Sequence, residues 1–253
     1  METGDQLVVT ETRDVVRIIT LNRPAQRNAL RYESWTALDR ELAAVRVSPD
    51  LRAVVLTGAE GFFSAGGDLK SGPAWGSGPL SPAARVEHAQ EVLRRVRGLP
   101  LPVVAAVEGA AIGLAWSLVL ACDLVVVATD AYFAAPFVAR AVVPDGGLAW
   151  YLTHHLGRHR ASDLLLRGAR LPAEEAVRIG LATETAAPGT ALERAVASAL
   201  EVAQGEAGAL EMTKRLITAA EAAQLVGFEP HELAMAVVAQ QRNAAGEGRA
   251  DFS

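Results

Sequence analysis

Along the first half of the chain, short runs of β-branched and small apolar residues alternate with stretches whose apolar positions fall three and four apart. Residues 15–21, 53–57, 103–107 and 124–128 are predicted strands, each a compact run rich in Val, Ile, Leu or Ala. Residues 28–48 carry Leu30, Trp35, Leu38, Leu42 and Val45 at near-helical spacing and stop at Ser48-Pro49, which predicts an amphipathic helix facing a sheet. Strands and helices in alternation predict an α/β fold. Residues 71–85 (SGPAWGSGPLSPAAR) hold one large apolar group, Trp75, and are expected to form a mobile loop. Beyond Pro188 the chain turns Ala-rich and helical, with residues 209–223 and 231–241 among the helices. A core over residues 1–187 and an all-helical region over residues 188–253 are therefore expected, with no sequence repeat of fixed period.

Composition narrows the function classes. With 51% hydrophobic and 21% charged residues the chain is of ordinary globular type. A net charge of -5, from 24 basic against 29 acidic side chains, lacks the positive excess that nucleic-acid binding draws on. The single cysteine, Cys122, excludes an internal disulfide and a multi-cysteine zinc cage, and agrees with a cytoplasmic location. Met1 to Gln6 carries two acids and no basic run, so a secretory leader is not expected. The longest apolar run without a charge, residues 109–122, is too short to span a bilayer. Neither a membrane nor a metal is expected as a partner.

Two Gly-rich turns carry the candidate chemistry. After the strand at 53–57 come Ser64-Ala65-Gly66-Gly67-Asp68, read as opening another helix. After the strand at 103–107 come Glu108-Gly109-Ala110-Ala111-Ile112-Gly113-Leu114 and a long apolar helix. Small residues let backbone approach a ligand closely, and free N–H groups at a helix start accept negative charge. Two such turns can make an oxyanion pocket, although the same pattern also serves as a plain strand-to-helix turn. Neither turn matches a nucleotide-phosphate motif.

In chain order, Leu21-Asn22-Arg23-Pro24-Ala25-Gln26-Arg27-Asn28-Ala29-Leu30, Phe63-Ser64-Ala65-Gly66-Gly67-Asp68-Leu69, Pro102 to Gly109, Ala121-Cys122-Asp123, Pro144-Asp145-Gly146-Gly147 and residues 176–182 resemble the crotonase superfamily, the enoyl-CoA hydratase/isomerase family. The resemblance implies a crotonase-like spiral of ββα units, and a C-terminal helical oligomerisation region that packs homotrimers or dimers of trimers. It implies an acyl-CoA or enoyl-CoA thioester as substrate, with no cofactor beyond its coenzyme A moiety. The thioester oxygen would lie between the amides of Gly67 and Leu114. Coenzyme A would run along Gln26, Arg27, Ala29, Ala65, Gly66, Asp68, Leu69 and Lys70, with Arg23, Arg27 and Lys70 near its phosphates unless they are simply solvated surface charge.

Family hydratases use two glutamates, whose positions fall on Ser117 and Phe137 here. Neither side chain exchanges protons unaided near neutral pH, so the two-glutamate hydration is not expected. Asp145 matches a catalytic aspartate of ring-enoyl-CoA isomerases and aryl-CoA dehalogenases, and one carboxylate suffices to move a double bond. Its other reading is a helix cap ahead of Gly146-Gly147. Expected functions are thus enoyl-CoA isomerisation through Asp145 or, as the alternative, non-catalytic acyl-CoA binding. Trp116, Ser117 and Phe137, with Val138, are candidates for the acyl pocket, core packing being the other role open to the aromatics. Ser64 sits in the wrong spacing for a nucleophile elbow, His154 and His155 read as a helix-surface pair, and Glu108 and Asp68 read as caps.

Overall fold

The computed structural model describes residues 6–68 and 81–244. Its elements, in order, are β1 (Val8–Arg13), β2 (Val16–Leu21), α1 (Tyr32–Arg46), β3 (Ala53–Gly58), α2 (Ser81–Arg97), β4 (Val103–Val107), β5 (Ala110–Ile112) and α3 (Leu114–Leu120). These are followed by β6 (Leu124–Ala128), β7 (Tyr132–Ala134), α4 (Leu148–Leu166), β8 (Leu171–Pro172), α5 (Ala173–Arg178), β9 (Glu184–Ala186), α6 (Ala191–Ala203) and α7 (Ala207–Ala244).

One sheet runs β1-β2-β3-β4-β6-β9 and a second runs β5-β7-β8. Only the β1–β2 and β7–β8 pairs are antiparallel. In the first sheet β3 and β4 are buried along nearly their whole length, as expected of parallel strands covered on both faces. Short bridges extend the second sheet: Ser64 pairs with Ala111, and Leu30 with Gly67. A unit therefore recurs in which the chain makes a strand in the first sheet, then a short extended segment beside the second, then a helix. β3, residues 64–67 and α2 form one such turn, and β4, β5 and α3 form the next. The architecture is the expected α/β spiral.

Several local expectations change. The first helix starts at Tyr32 rather than residue 28, because Arg27 and Asn28 adopt positive φ (49° and 55°) and Leu30 is spent on its bridge to Gly67. Trp35, Leu38, Leu42 and Val45 form the buried stripe of α1 as their spacing requires. No helix opens at residues 64–67: Ser64 and Gly67 are taken up in bridges to Ala111 and Leu30, and Gly66 between them has φ +84°. Of the expected loop at 71–85, residues 71–80, including Trp75, lie outside the described residues, whereas 81–85 form the first turn of α2. The two helices expected at 209–223 and 231–241 are one, α7, with Pro230 inside it.

The boundary drawn at residues 187/188 falls between β9 and α6. α6 lays Ala191, Ala195 and Ala199, all fully buried, against the core, small side chains that let the helix sit close.

Candidate functional site

The second Gly-rich turn lies directly against the first. Gly66 has φ +84°, and a Cβ there would stand 2.2 Å from Ile112 O and 3.5 Å from Leu114 N. Only glycine permits that approach. A Cβ on Gly67 would instead meet nothing within 4 Å, because residue 67 opens onto a cavity. Among the described residues neither the Gly67 nor the Leu114 N–H donates to a backbone carbonyl, and both residues line that cavity.

A buried polar hub fixes the first turn. The Ser64 hydroxyl, fully buried, donates to Asn28 O (2.8 Å) and accepts from Gly66 N (3.1 Å). The Asn28 amide donates to Ala59 O (2.9 Å) and Phe62 O (2.6 Å), and its oxygen accepts from Arg23 N (2.9 Å). Ser64 is thus a structural lock. Asp68 pairs with Arg23 at 3.1 Å, both side chains largely buried, so Arg23 braces the turn through Asp68 and Ala29 O. Glu108 accepts from Gly189 N and Ala191 N and caps α6, a partner far along the chain.

The cavity measures about 750 Å³. Of the expected coenzyme A residues, Gln26, Arg27, Ala29, Ala65 and Asp68 lie on its wall, Gly66 packs behind it, and Leu69 and Lys70 lie outside the described residues. Phe137 lines it, as do Tyr32, Val86, Val142 and Val143. Trp116 and Ser117 do not. Trp116 is fully buried and stacks on Phe133 with ring centroids 5.3 Å apart, so it belongs to the core. Ser117, also fully buried, donates to Asp145 O at 3.0 Å and stands behind the aspartate. Val138 is exposed, outside the cavity. His154 and His155 sit on the exposed side of α4.

Asp145 lines the cavity, and its Oδ1 is enclosed with no hydrogen-bond partner among the described residues. Burial pushes its carboxyl up to about 7, against the opposing pull of the Arg85 guanidinium, which also lines the cavity. The cap role is not taken: α4 has Gly147 as its N-cap and no capping side chain of its own.

A residue that sequence reading missed performs that service. Glu232 on α7, only 4% exposed, accepts from Gly147 N at 2.8 and 3.0 Å. It is held in turn by Gln90 Nε2 at 2.8 Å, and burial pushes it up to about 7, helped by the nearby Asp145 charge. Among the described residues, no group of three or more His, Cys, Asp or Glu is arranged to hold a metal ion.

The family model described as enoyl-CoA hydratase/isomerase matches residues 11–253. The chain belongs to that family. A relative named "Probable enoyl-CoA hydratase" from Rhodobacter capsulatus is 37% identical over 208 residues, covering 81% of this chain and 78% of its own length. The crystal structure of an enoyl-CoA hydratase/isomerase from Mycobacterium paratuberculosis is similar at TM-score 0.84 and 31% identity, over 92% of this chain and 93% of that one. A monofunctional enoyl CoA isomerase from M. smegmatis is similar at TM-score 0.73 and 32% identity, over 85% and 94%. Ser117 and Phe137, where the family's two glutamates were expected, carry no acid here, and Asp68 and Asp145 are the carboxyl side chains that line the cavity among the described residues. Among the described residues, no helix is long and apolar enough to cross a membrane.

Proposed function

We propose that the protein moves a carbon–carbon double bond in an enoyl-CoA thioester, with Asp145 as the single acid/base group and the Gly67 and Leu114 amides holding the thioester oxygen. The observation that carries this reading is the Asp145 carboxyl, lining the cavity with an Oδ1 unpartnered among the described residues and raised to about 7. A carboxyl with that affinity takes and returns a proton near neutral pH far more readily than an ordinary one. As carboxylate it removes a proton from one carbon of the acyl chain. The electron pair moves through the conjugated system to the thioester oxygen, and the acid returns the proton to the other carbon while the double bond shifts. Atoms balance and no water is consumed. Two preorganised amides supply about 3 kcal/mol each toward the enolate. Apolar Phe137, Val142 and Val143 keep the acyl end dry, and exposed Arg27 at the rim suits the phosphates of coenzyme A.

Incubation with 3-enoyl-CoA and with ring-containing enoyl-CoA thioesters tests this: the double bond should migrate, 2-enoyl-CoA should not be hydrated at a comparable rate, and Asp145→Asn should abolish migration. Tight acyl-CoA binding without turnover of any enoyl chain would select the non-catalytic binding role, which the loss of both glutamate positions favours. We further propose a cytoplasmic homotrimer or dimer of trimers, because α7 leaves Met212, Leu216, Ile217, Met235 and Val238 exposed.

A further inference from the structure

The turn that carries Asp145 has almost nothing of its own to hold it. Residues 146 and 147 are glycines at φ 66° and 79°. A Cβ on Gly146 would lie 2.5 Å from Leu114 Cδ1 and 2.9 Å from Ser117 Cβ, so the turn is pressed onto the start of α3 and can offer no side chain as a grip. It is held from outside. On one flank Ser117 Oγ donates to Asp145 O at 3.0 Å, and on the other Gly147 N donates to Glu232 at 2.8 Å. Glu232 comes from α7, which lays Ala236 and Gln240 against the same cavity. Gln90, itself 5% exposed, comes from α2, whose Arg85 and Val86 form another wall. The carboxylate thus ties two walls, α2 and α7, to one amide of the turn.

We propose that Glu232, held by Gln90, is a positioning residue that fixes the Gly147 amide and thereby aims Asp145 at the substrate carbon. The proposal rests on the Asp145 reading above. Groups facing Glu232 are Gln90 from α2, Asp145 and the Gly147 amide across the turn, and Glu229 from α7 itself. Arg94 and Arg97 of α2 pair with Glu229, so among the described residues no cation bonds to Glu232. A carboxylate buried without a cation beside a second carboxyl disfavours charge on both, which adds an electrostatic role to the mechanical one. Displacing a reacting group by a fraction of an ångström lowers turnover more than binding, because substrate is gripped elsewhere.

The test compares Glu232→Ala with Glu232→Gln in the full chain, using 3-enoyl-CoA. Glu232→Ala should lower kcat about tenfold or more with KM within about twofold. Glu232→Gln keeps an acceptor for Gly147 N and should restore kcat to within about threefold, while the acidic limb of kcat moves to lower pH because a like charge is gone. Wild-type kcat in Glu232→Ala, or an unmoved limb in Glu232→Gln, overturns the proposal. The second criterion stands even if the alanine variant fails to fold. Asp145→Asn measured alongside separates the two readings. If it turns over like wild type, the Asp145 reading fails, and hydrogen exchange at the Gly147 amide then decides the anchor: faster exchange in Glu232→Gln or Glu232→Ala supports it, and unchanged exchange overturns it.

Discussion

Asp145 carries a cost in stability that its chemistry explains. Its carboxyl is raised to about 7 by burial, against about 3.9 in an unfolded chain. The folded chain binds that proton more tightly, so the associated stability is complete below about pH 4 and is lost as pH rises through about 7. Asp145→Asn should therefore be more stable than wild type at pH 8, by on the order of 1–3 kcal/mol, with the gain shrinking toward pH 5. Glu232, raised in the same way, keeps part of the slope in the variant. Chemical denaturation at the two pH values checks this. Gly66 is constrained differently. Its φ of +84° and the 2.2 Å approach to Ile112 O mean that Gly66→Ala must displace one turn from the other, costing about 2 kcal/mol or more and weakening acyl-CoA binding in calorimetry. Gly66 was legible from sequence because glycine in a short turn declares a local backbone need, whereas Asp145 was singled out by its place in the family resemblance and not by the cap role its turn also suggested. Glu232 was not. It meets Gly147 from 85 residues along the chain, and its i and i+4 neighbours give no sign of a buried partner.

At the scale of elements, the connection from β2 to α1 rests on Asn28, whose side chain joins Arg23 N, Ala59 O and Phe62 O. Asn28→Ala leaves three part-buried backbone groups without that partner and should cost about 2–3 kcal/mol, lowering acyl-CoA affinity in step because Gln26, Arg27 and Ala29 lose their frame. Thermal denaturation and binding calorimetry on the same variant check it. Strands were legible where they are long and wholly apolar, as β3 and β4 are. β5, β7 and β8 have three, three and two residues, too short for any alternation to register. The bridged turn at 64–67 read as a helix start because small residues suit either role. α7 continues through Pro230, which local propensity reads as a break. Arg94 holds Glu229 at 2.7 Å and Gln90 holds Glu232 at 2.8 Å, one on each side of the proline, so tertiary contacts override the local signal.

For the molecule as a whole, the ββα spiral brings several separate segments to one cavity: residues 25–35, the turn at 65–68, the start of α2, residues 112–114, and residues 136–145, with α7 folded over them. Apolar side chains left exposed on α7 account for the expected self-association. Sedimentation velocity should give a trimer or hexamer, and a clean monomer would contradict it. The proposal that Asp145 alone moves the double bond, where family hydratases use two glutamates to add water, is open to direct measurement. Its most direct measurement is kcat/KM for 3-enoyl-CoA isomerisation from about pH 5 to 9, for wild type and Asp145→Asn. The wild-type rate should rise with pH to a limb near 7, and the asparagine variant should lose about a hundredfold or more at every pH. Turnover that survives Asp145→Asn with the same pH limb would contradict it.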